Sequence, residues 1–256
     1  MRSLQRLGKL GGWVIGCLVI VWSLRGVEFS PTEIIKGTGT AAERARDLWP
    51  PAWELARDPR FQRDLIVTVQ IALVATVLAG LFAFPASFLA ARTTAFSARF
   101  AVSFKFVLNL FRGIPPLLYA LLIINLVGLG ALPGTLAVAF ASFCMMTKMF
   151  AETLETLDPG PIEAVRAVGA SPAQVFAWGM LPQALPNFLG LGLYVFEVSL
   201  AASFILGIVG AGGMGFQLQT ALRLGRWEEA SFIMLVIMTL VVAVDLISFR
   251  LRKSLA

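Results

Sequence analysis

Long uncharged runs alternate along this chain with short polar bridges, and the length of each run limits what it can be. A helix needs about 20 apolar residues to cross a bilayer. Leu65 to Ala91 offers 27 residues without a charge, enough for one crossing. Gly113 to Thr147 offers 35, too many for one helix and few for two. The turn residues from Gly128 to Gly134 divide that run, so one crossing starts near Val102 and the next covers about Thr135 to Ala151. Pro115-Pro116 kinks the first of these. Leu185 to Gly207 and Ala230 to Phe249 supply two more. Leu10 to Leu24, behind Arg2, Arg6 and Lys9, reads as a retained first span, because no small-residue cleavage site follows. The pattern predicts an all-α, polytopic membrane protein of about six transmembrane helices. Residues 1–63 form a first helix and an interfacial segment, and residues 64–256 a five-helix core.

Finer spacing adds detail within these elements. Ala75, Ala79, Ala83, Ser87 and Ala91 recur every four residues, with Thr68, Ala72, Thr76 and Gly80 in an adjoining row. Small side chains at that period admit a neighbouring helix closely, which places this span at the centre of the bundle. Gly12 and Gly16 give a weaker signal of the same kind. Between the first two spans, Ser30-Pro31-Thr32-Glu33 and Thr40-Ala41-Ala42-Glu43 read as capping boxes of two short helices, followed by Pro50-Pro51. Trp49 and Trp53 suit a membrane interface, so this segment is either an amphipathic collar or a surface for a soluble partner. Lys105, Asn109 and Arg112 share one helix face, either snorkelling to headgroups or lining an anion-attracting vestibule.

Composition narrows the chemistry. The chain is 58% hydrophobic and 14% charged, far from the roughly 25% charge of a soluble domain. It has no His, and its two cysteines, Cys17 and Cys144, lie in separate apolar runs. No metal, disulfide or catalytic cluster is expected, and no cofactor. The net charge of +6 matters through its distribution across the loops, not as a sign of nucleic-acid binding. With the N-terminus inside, Arg2, Arg6, Lys9, Arg92, Arg99, Lys105, Arg112, Lys148, Arg166, Arg250, Arg252 and Lys253 fall on the inner side. Only Glu152, Glu155, Asp158 and Glu163 oppose them there, whereas the outer segments balance nine basic residues against nine acidic ones. Both termini are therefore expected in the cytoplasm.

The most informative stretch lies between the fourth and fifth spans, DPGPIEAVRAVGASPAQVFAWGMLP from Asp158 to Pro182. Asp158 caps a short helix whose opening turn tolerates Pro159 and Pro161. Gly169 breaks it. Ser171 starts a second helix, with Pro172 at its first position and Gln174 placed for a capping box, and Pro182 and Pro186 end it. Glu163-Ala164, Gly169 six positions on, and Leu181-Pro182 twelve further resemble the cytoplasmic EAA loop of bacterial ABC importer permeases. Val165 departs from the usual second Ala, and Gly179 from the usual Ile.

That resemblance implies a type I ABC importer permease fold in the bacterial inner membrane. It implies a coupling loop over residues 158–182, with Glu163, Ala164, Gly169, Ala170, Leu181 and Pro182 meeting the ATPase. The expected partners are two cytoplasmic ATP-binding subunits, a periplasmic substrate-binding protein and a second permease subunit, identical or not. The permease itself carries no catalytic site. Val209-Gly210-Ala211-Gly212-Gly213-Met214-Gly215-Phe216-Gln217-Leu218, with Ala221-Leu222-Arg223, Leu193-Tyr194, Pro85 and Ala90-Ala91-Arg92, is similar to the phosphonate and phosphite branch. The methionine importers share the glycine loop, which leaves another small solute as the alternative substrate. Val195 and Ala201 stand where that branch carries basic residues, which implies a smaller oxyanion or a non-identical partner subunit.

Five glycines between Gly207 and Gly215 disfavour a regular helix, and no Lys-Ser or Lys-Thr follows to make a nucleotide site. Gly210, Gly212, Gly213 and Gly215 are expected to pack or gate near the outer face. Glu197, a carboxylate within a span, costs on the order of 2.5–3.5 kcal/mol and requires a basic partner, a proton or a water path. A secondary transporter, the remaining rival, calls for inverted repeats and proton-relay pairs that this chain lacks.

Overall fold

The computed structural model describes residues 2–27, 32, 38–39 and 45–255; for residues 2–12, 14 and 255 only the backbone is described. Of the two expected capping boxes before Pro50, all but Thr32 lie outside the described residues. The chain divides into two units, Met1–Trp49 and Pro50–Ala256. In the first, α1 runs over Arg2–Gly26. Its apolar part, Ile15–Gly26, is shorter than a full crossing.

The second unit begins with a 3₁₀ turn, Trp53–Arg57, and continues as helices. In order these are α2 (Pro59–Ala90), α3 (Ala98–Arg112), α4 (Pro116–Val127), α5 (Ala131–Glu155), α6 (Pro159–Ala167), α7 (Leu181–Leu206), α8 (Gly213–Arg223) and α9 (Trp227–Leu255). Among the described residues, four helices are long and apolar enough to cross a membrane, and the bent α3–α4 pair makes a fifth. The stretches read as core spans from the hydrophobic pattern fall on these helices.

The rows of small residues in α2 do what their spacing implies. Ala75, Ala79, Ala83, Ser87, Ala91, Thr68 and Ala72 are all buried, and α5 lies along them. Hydrocarbon offers no solvent drive to join helices, so this close approach and its dispersion contacts hold the pair. Buried Ser142 of α5 and Ser199 of α7 share a hydrogen bond of 3.0 Å, a contact of about 0.6 kcal/mol in a membrane interior. A cluster of Met146, Phe150, Leu154, Met180, Ala184, Phe188 and Val195 fills the space between α2, α5 and α7.

Prolines set the bends. Gly113 to Pro115 break the helix so that α3 and α4 meet at 77°. The Tyr119 hydroxyl donates to Phe111 O at 2.6 Å across the bend. Pro182 and Pro186, by contrast, do not end the helix that starts at Pro172. It runs on through a π-helical turn, Val175–Met180, into α7, with Pro182 in the first turn and Pro186 inside. The wider turn shifts the backbone bonding, with Leu181 N donating to Phe176 O, so the missing proline N–H is tolerated.

Candidate functional site

Two places in the core unit combine polar chemistry with unusual backbone. The first is the elbow after α5. Asp158 caps α6 by accepting from Gly160 N at 2.9 Å, as its place before two prolines implies. The chain reverses at Gly169, whose φ of +78° is a left-handed conformation open to glycine. Ser171 and Gln174 then form the expected capping box, with Ser171 N donating to Gln174 Oε1 at 2.8 Å and Gln174 N to Ser171 Oγ at 3.4 Å.

The elbow is exposed outside and anchored inside. Glu163, Ala164, Arg166 and Pro182 are exposed, and Ala170 and Leu181 are half-buried. Val168 is 83% exposed and Trp178 74%, both large apolar side chains left uncovered. On the other face, Phe176 packs edge-on against Phe84 and Phe88 of α2, and Ile162 sits against the core cluster. Val165 is half-buried, so its extra bulk is turned partly inward.

Gly179 explains its own departure from the usual Ile. It is buried beneath α6, and a Cβ there would lie 3.2 Å from Ile162 Cα. The small residue lets α6 seat on the π turn. One anchoring residue, Gln183, is not singled out by the sequence motif. Its carboxamide donates to Gly179 O at 2.6 Å and Asp158 O at 3.4 Å, and its oxygen accepts from Asp158 N at 3.1 Å. The signal was present as an amide one residue past Leu181-Pro182, yet only the fold shows that it faces Asp158. Glu155, just before the elbow, accepts from Arg92 N at 2.7 Å and from Lys105 Nζ at 2.8 Å on both oxygens. The Lys105 of the shared α3 face therefore has a protein partner, whereas Asn109 and Arg112 are exposed. So α3, α5 and the segment after α2 meet at one carboxylate.

The second place is the glycine segment at the far end of α7. Gly207–Ala211 forms another π turn that kinks at Gly210, φ +98°, and α8 begins at Gly213 with Gly212 before it, both with positive φ. The backbone is irregular from Gly207 to Gly212, as the glycines imply, and departs from that expectation only where Gly213 to Gly215 enter α8. Gly207 and Gly215 cross without side chains. A Cβ on Gly215 would come within 2.0 Å of Phe204 O, and one on Gly207 within 2.7 Å of Gly215 Cα. Gly130 N donates to Gly210 O at 3.2 Å, and Met214 N donates to Thr68 Oγ1 at 2.9 Å. Gln217 donates to Asp64. These contacts bind the segment to α2 and to the turn before α5.

Glu197 lies between the two places, well apart from the glycines along α7. Its Oε1 is 2.9 Å from Arg252 Nη2 of α9, and Asp245 is 3.9 Å from the same nitrogen. The basic partner expected for an intramembrane carboxylate thus comes from the last helix. Among the described residues no group of three His, Cys, Asp or Glu could hold a metal.

Comparison with known proteins agrees with this architecture. Residues 58–256 match the family described as the binding-protein-dependent transport system inner membrane component. The chain is 39% identical over 223 residues to the phosphite transport system permease protein PtxC of Stutzerimonas stutzeri, covering 87% of this chain and 80% of the relative. It is 34% identical over 239 residues to the phosphate-import permease protein PhnE of Mycolicibacterium smegmatis, covering 93% of this chain but 44% of that longer protein. Among solved structures, the inward-facing MetNI methionine ABC transporter shares its fold, with a TM-score of 0.68 at 21% identity over 77% of this chain and 96% of that one.

Proposed function

Since this chain belongs to the family of binding-protein-dependent transport inner membrane components, we propose that it is the permease of an ATP-driven importer for phosphite or a related phosphorus oxyanion. The substrate class rests on the phosphite and phosphate permeases that it resembles along most of its length. The observation that carries the mechanism is the elbow, an exposed helical hook rooted in the membrane core through Gln183, Phe176 and Gly179.

A cytoplasmic ATPase that grips Glu163, Ala164, Val168 and Trp178 would move α6 and α7 together when it closes on ATP. The permease adds no chemistry to hydrolysis. Its part is to convert closure of the motor into rotation of α7 against α2, opening the pathway to a loaded binding protein outside. The excess of Lys and Arg on the elbow side supports a cytoplasmic elbow and cytoplasmic termini. Two copies of the permease, or one copy and a relative, would enclose the pathway. Glu197 and the segment of Gly210, Gly212, Gly213 and Gly215 are proposed to shape that pathway.

The test has two parts. Proteoliposomes holding the permease with its ATPase and binding protein should take up phosphite on ATP addition; uptake of methionine but no phosphorus oxyanion overturns the substrate. In the second, Cys17 and Cys144 are replaced and Val168→Cys is introduced. An impermeant maleimide should label it in inverted vesicles and leave right-side-out spheroplasts unlabelled; the reverse pattern overturns the orientation.

A further inference from the structure

We propose that an open cavity on α7, walled by Met149, Pro186, Asn187, Gly190, Leu191 and Tyr194 and edged by Arg252, is a station where a small oxyanion rests on the guanidinium in competition with Glu197. The proposal rests on the phosphorus-oxyanion reading above and names residues that contact the substrate. The cavity holds about 440 Å³, ample for an anion of a few heavy atoms with water. A larger cavity of about 710 Å³ between α2, α7 and α9 is walled mostly by Leu73, Val77, Phe84, Phe150, Leu189 and Phe196. It offers no cation and suits hydrocarbon better than an anion.

Asn187, Gly190, Tyr194 and Glu197 lie three, four and three residues apart and so share one stripe of α7. Gly190 gives that stripe a gap, and the Arg252 stem passes across it, with Cγ 3.9 Å from where a Cβ would be. A bulkier residue at 190 would push the guanidinium away from both cavity and carboxylate. Arg252 carries five N–H donors in a planar fork. Among the described residues only its Nη2 has acidic partners, Glu197 at 2.9 Å and Asp245 at 3.9 Å. The remaining donors can take the oxygens of a tetrahedral anion side by side, a geometry that an ammonium would not match. The Tyr194 hydroxyl and the Asn187 carboxamide add donors on the same stripe.

Glu197 sets the strength. A bare arginine within the span would hold an anion too tightly for passage, and a permeation site must release what it binds. With the carboxylate at hydrogen-bond distance, the anion gains Arg252 only while Glu197 loosens. Removing the charge at 197 should therefore tighten binding, whereas removing it at 252 should abolish binding. A purely structural ion pair predicts that both changes act in the same direction.

The experiment uses the full chain in phosphatidylcholine nanodiscs, with phosphite as probe and broadening of its ³¹P resonance as readout. Wild type should broaden the line and phosphate should compete, while chloride at equal ionic strength should not. Glu197→Gln should strengthen the effect at least threefold, Arg252→Gln should remove it, and Arg252→Lys should retain a part. Absence of broadening with wild type, equal broadening with Arg252→Gln, or weakening by Glu197→Gln each overturns the station. Nanodiscs containing phosphatidylglycerol distinguish the source of the anion; loss of phosphite binding there assigns the cavity to a lipid headgroup and overturns it as a substrate station. ATP-driven uptake by the wild-type assembly is measured in parallel. Uptake without Arg252-dependent binding sinks the station alone, and no uptake of any phosphorus oxyanion sinks the importer reading and the station with it.

Discussion

Gly169 offers the clearest test of the elbow, because backbone geometry alone separates its variants. Its φ of +78° costs an L-residue about 1–2 kcal/mol, and nothing lies within 4 Å of the position a Cβ would take. Gly169→Ala therefore adds strain without a clash. If α6 relieves that strain by tilting, the docked geometry loses a factor of roughly 5 to 30 in population. Gly169→Asn should stay closer to wild type, since Asn tolerates the left-handed region. Gly169→Pro fixes φ near −65° and removes the Gly169 N–H bond to Arg166 O at 3.0 Å, so the turn cannot form. The assay is ATP hydrolysis by the reconstituted importer, with and without loaded binding protein. Stimulation should fall in the order wild type, Asn, Ala, Pro, and vanish for Pro, while membrane insertion stays level because the site is exposed. A proline variant that couples normally, or an Asn variant worse than Ala, would refute the role of this turn.

Three more outcomes follow from the packing. Gln183→Ala removes the hydrogen bonds that hold Asp158 and Gly179, a loss of roughly 2 kcal/mol at the elbow root. It should cut stimulated ATPase activity severalfold and lower the melting temperature by roughly 4–8 °C; unchanged stimulation would show that the staple is dispensable. The Lys105–Glu155 pair is 2.8 Å long and only 16% and 24% exposed, so Lys105→Met alone should destabilise by about 2 kcal/mol. Adding Glu155→Met should recover part of that loss, read as a positive coupling in a thermal-unfolding cycle, and strict additivity would argue against the pair. Gly215→Ala drives a methyl into Phe204 O and should cost about 3 kcal/mol, seen as early aggregation in detergent, whereas a wild-type melting curve would mean the crossing is looser than described.

Much of this molecule was legible from residue order because the signals are local. Span length, the small-residue rows of α2, the caps at Asp158 and Ser171 and the break at Gly169 each depend on neighbours within a few residues. The continuity of the elbow into α7 was not legible, since a π turn is stabilised by Phe176 and Met180 in the core and not by any residue type that marks it. The entry of Gly213 to Gly215 into a helix was hidden for a similar reason. Glycine-rich sequence disfavours a helix in isolation, but Gly207 and Gly215 need to lack side chains so that two helices can cross.

Sequence by itself therefore determined the helical class, the core spans and the elbow with its turn chemistry, because hydrophobic length and backbone preference act along the chain. Only the tertiary structure decided which distant groups meet: Glu197 with Arg252, Glu155 with Lys105 and Arg92, and Gln183 with Asp158. Such pairings depend on how helices rotate and tilt against one another, and that is set by the packing of the whole bundle.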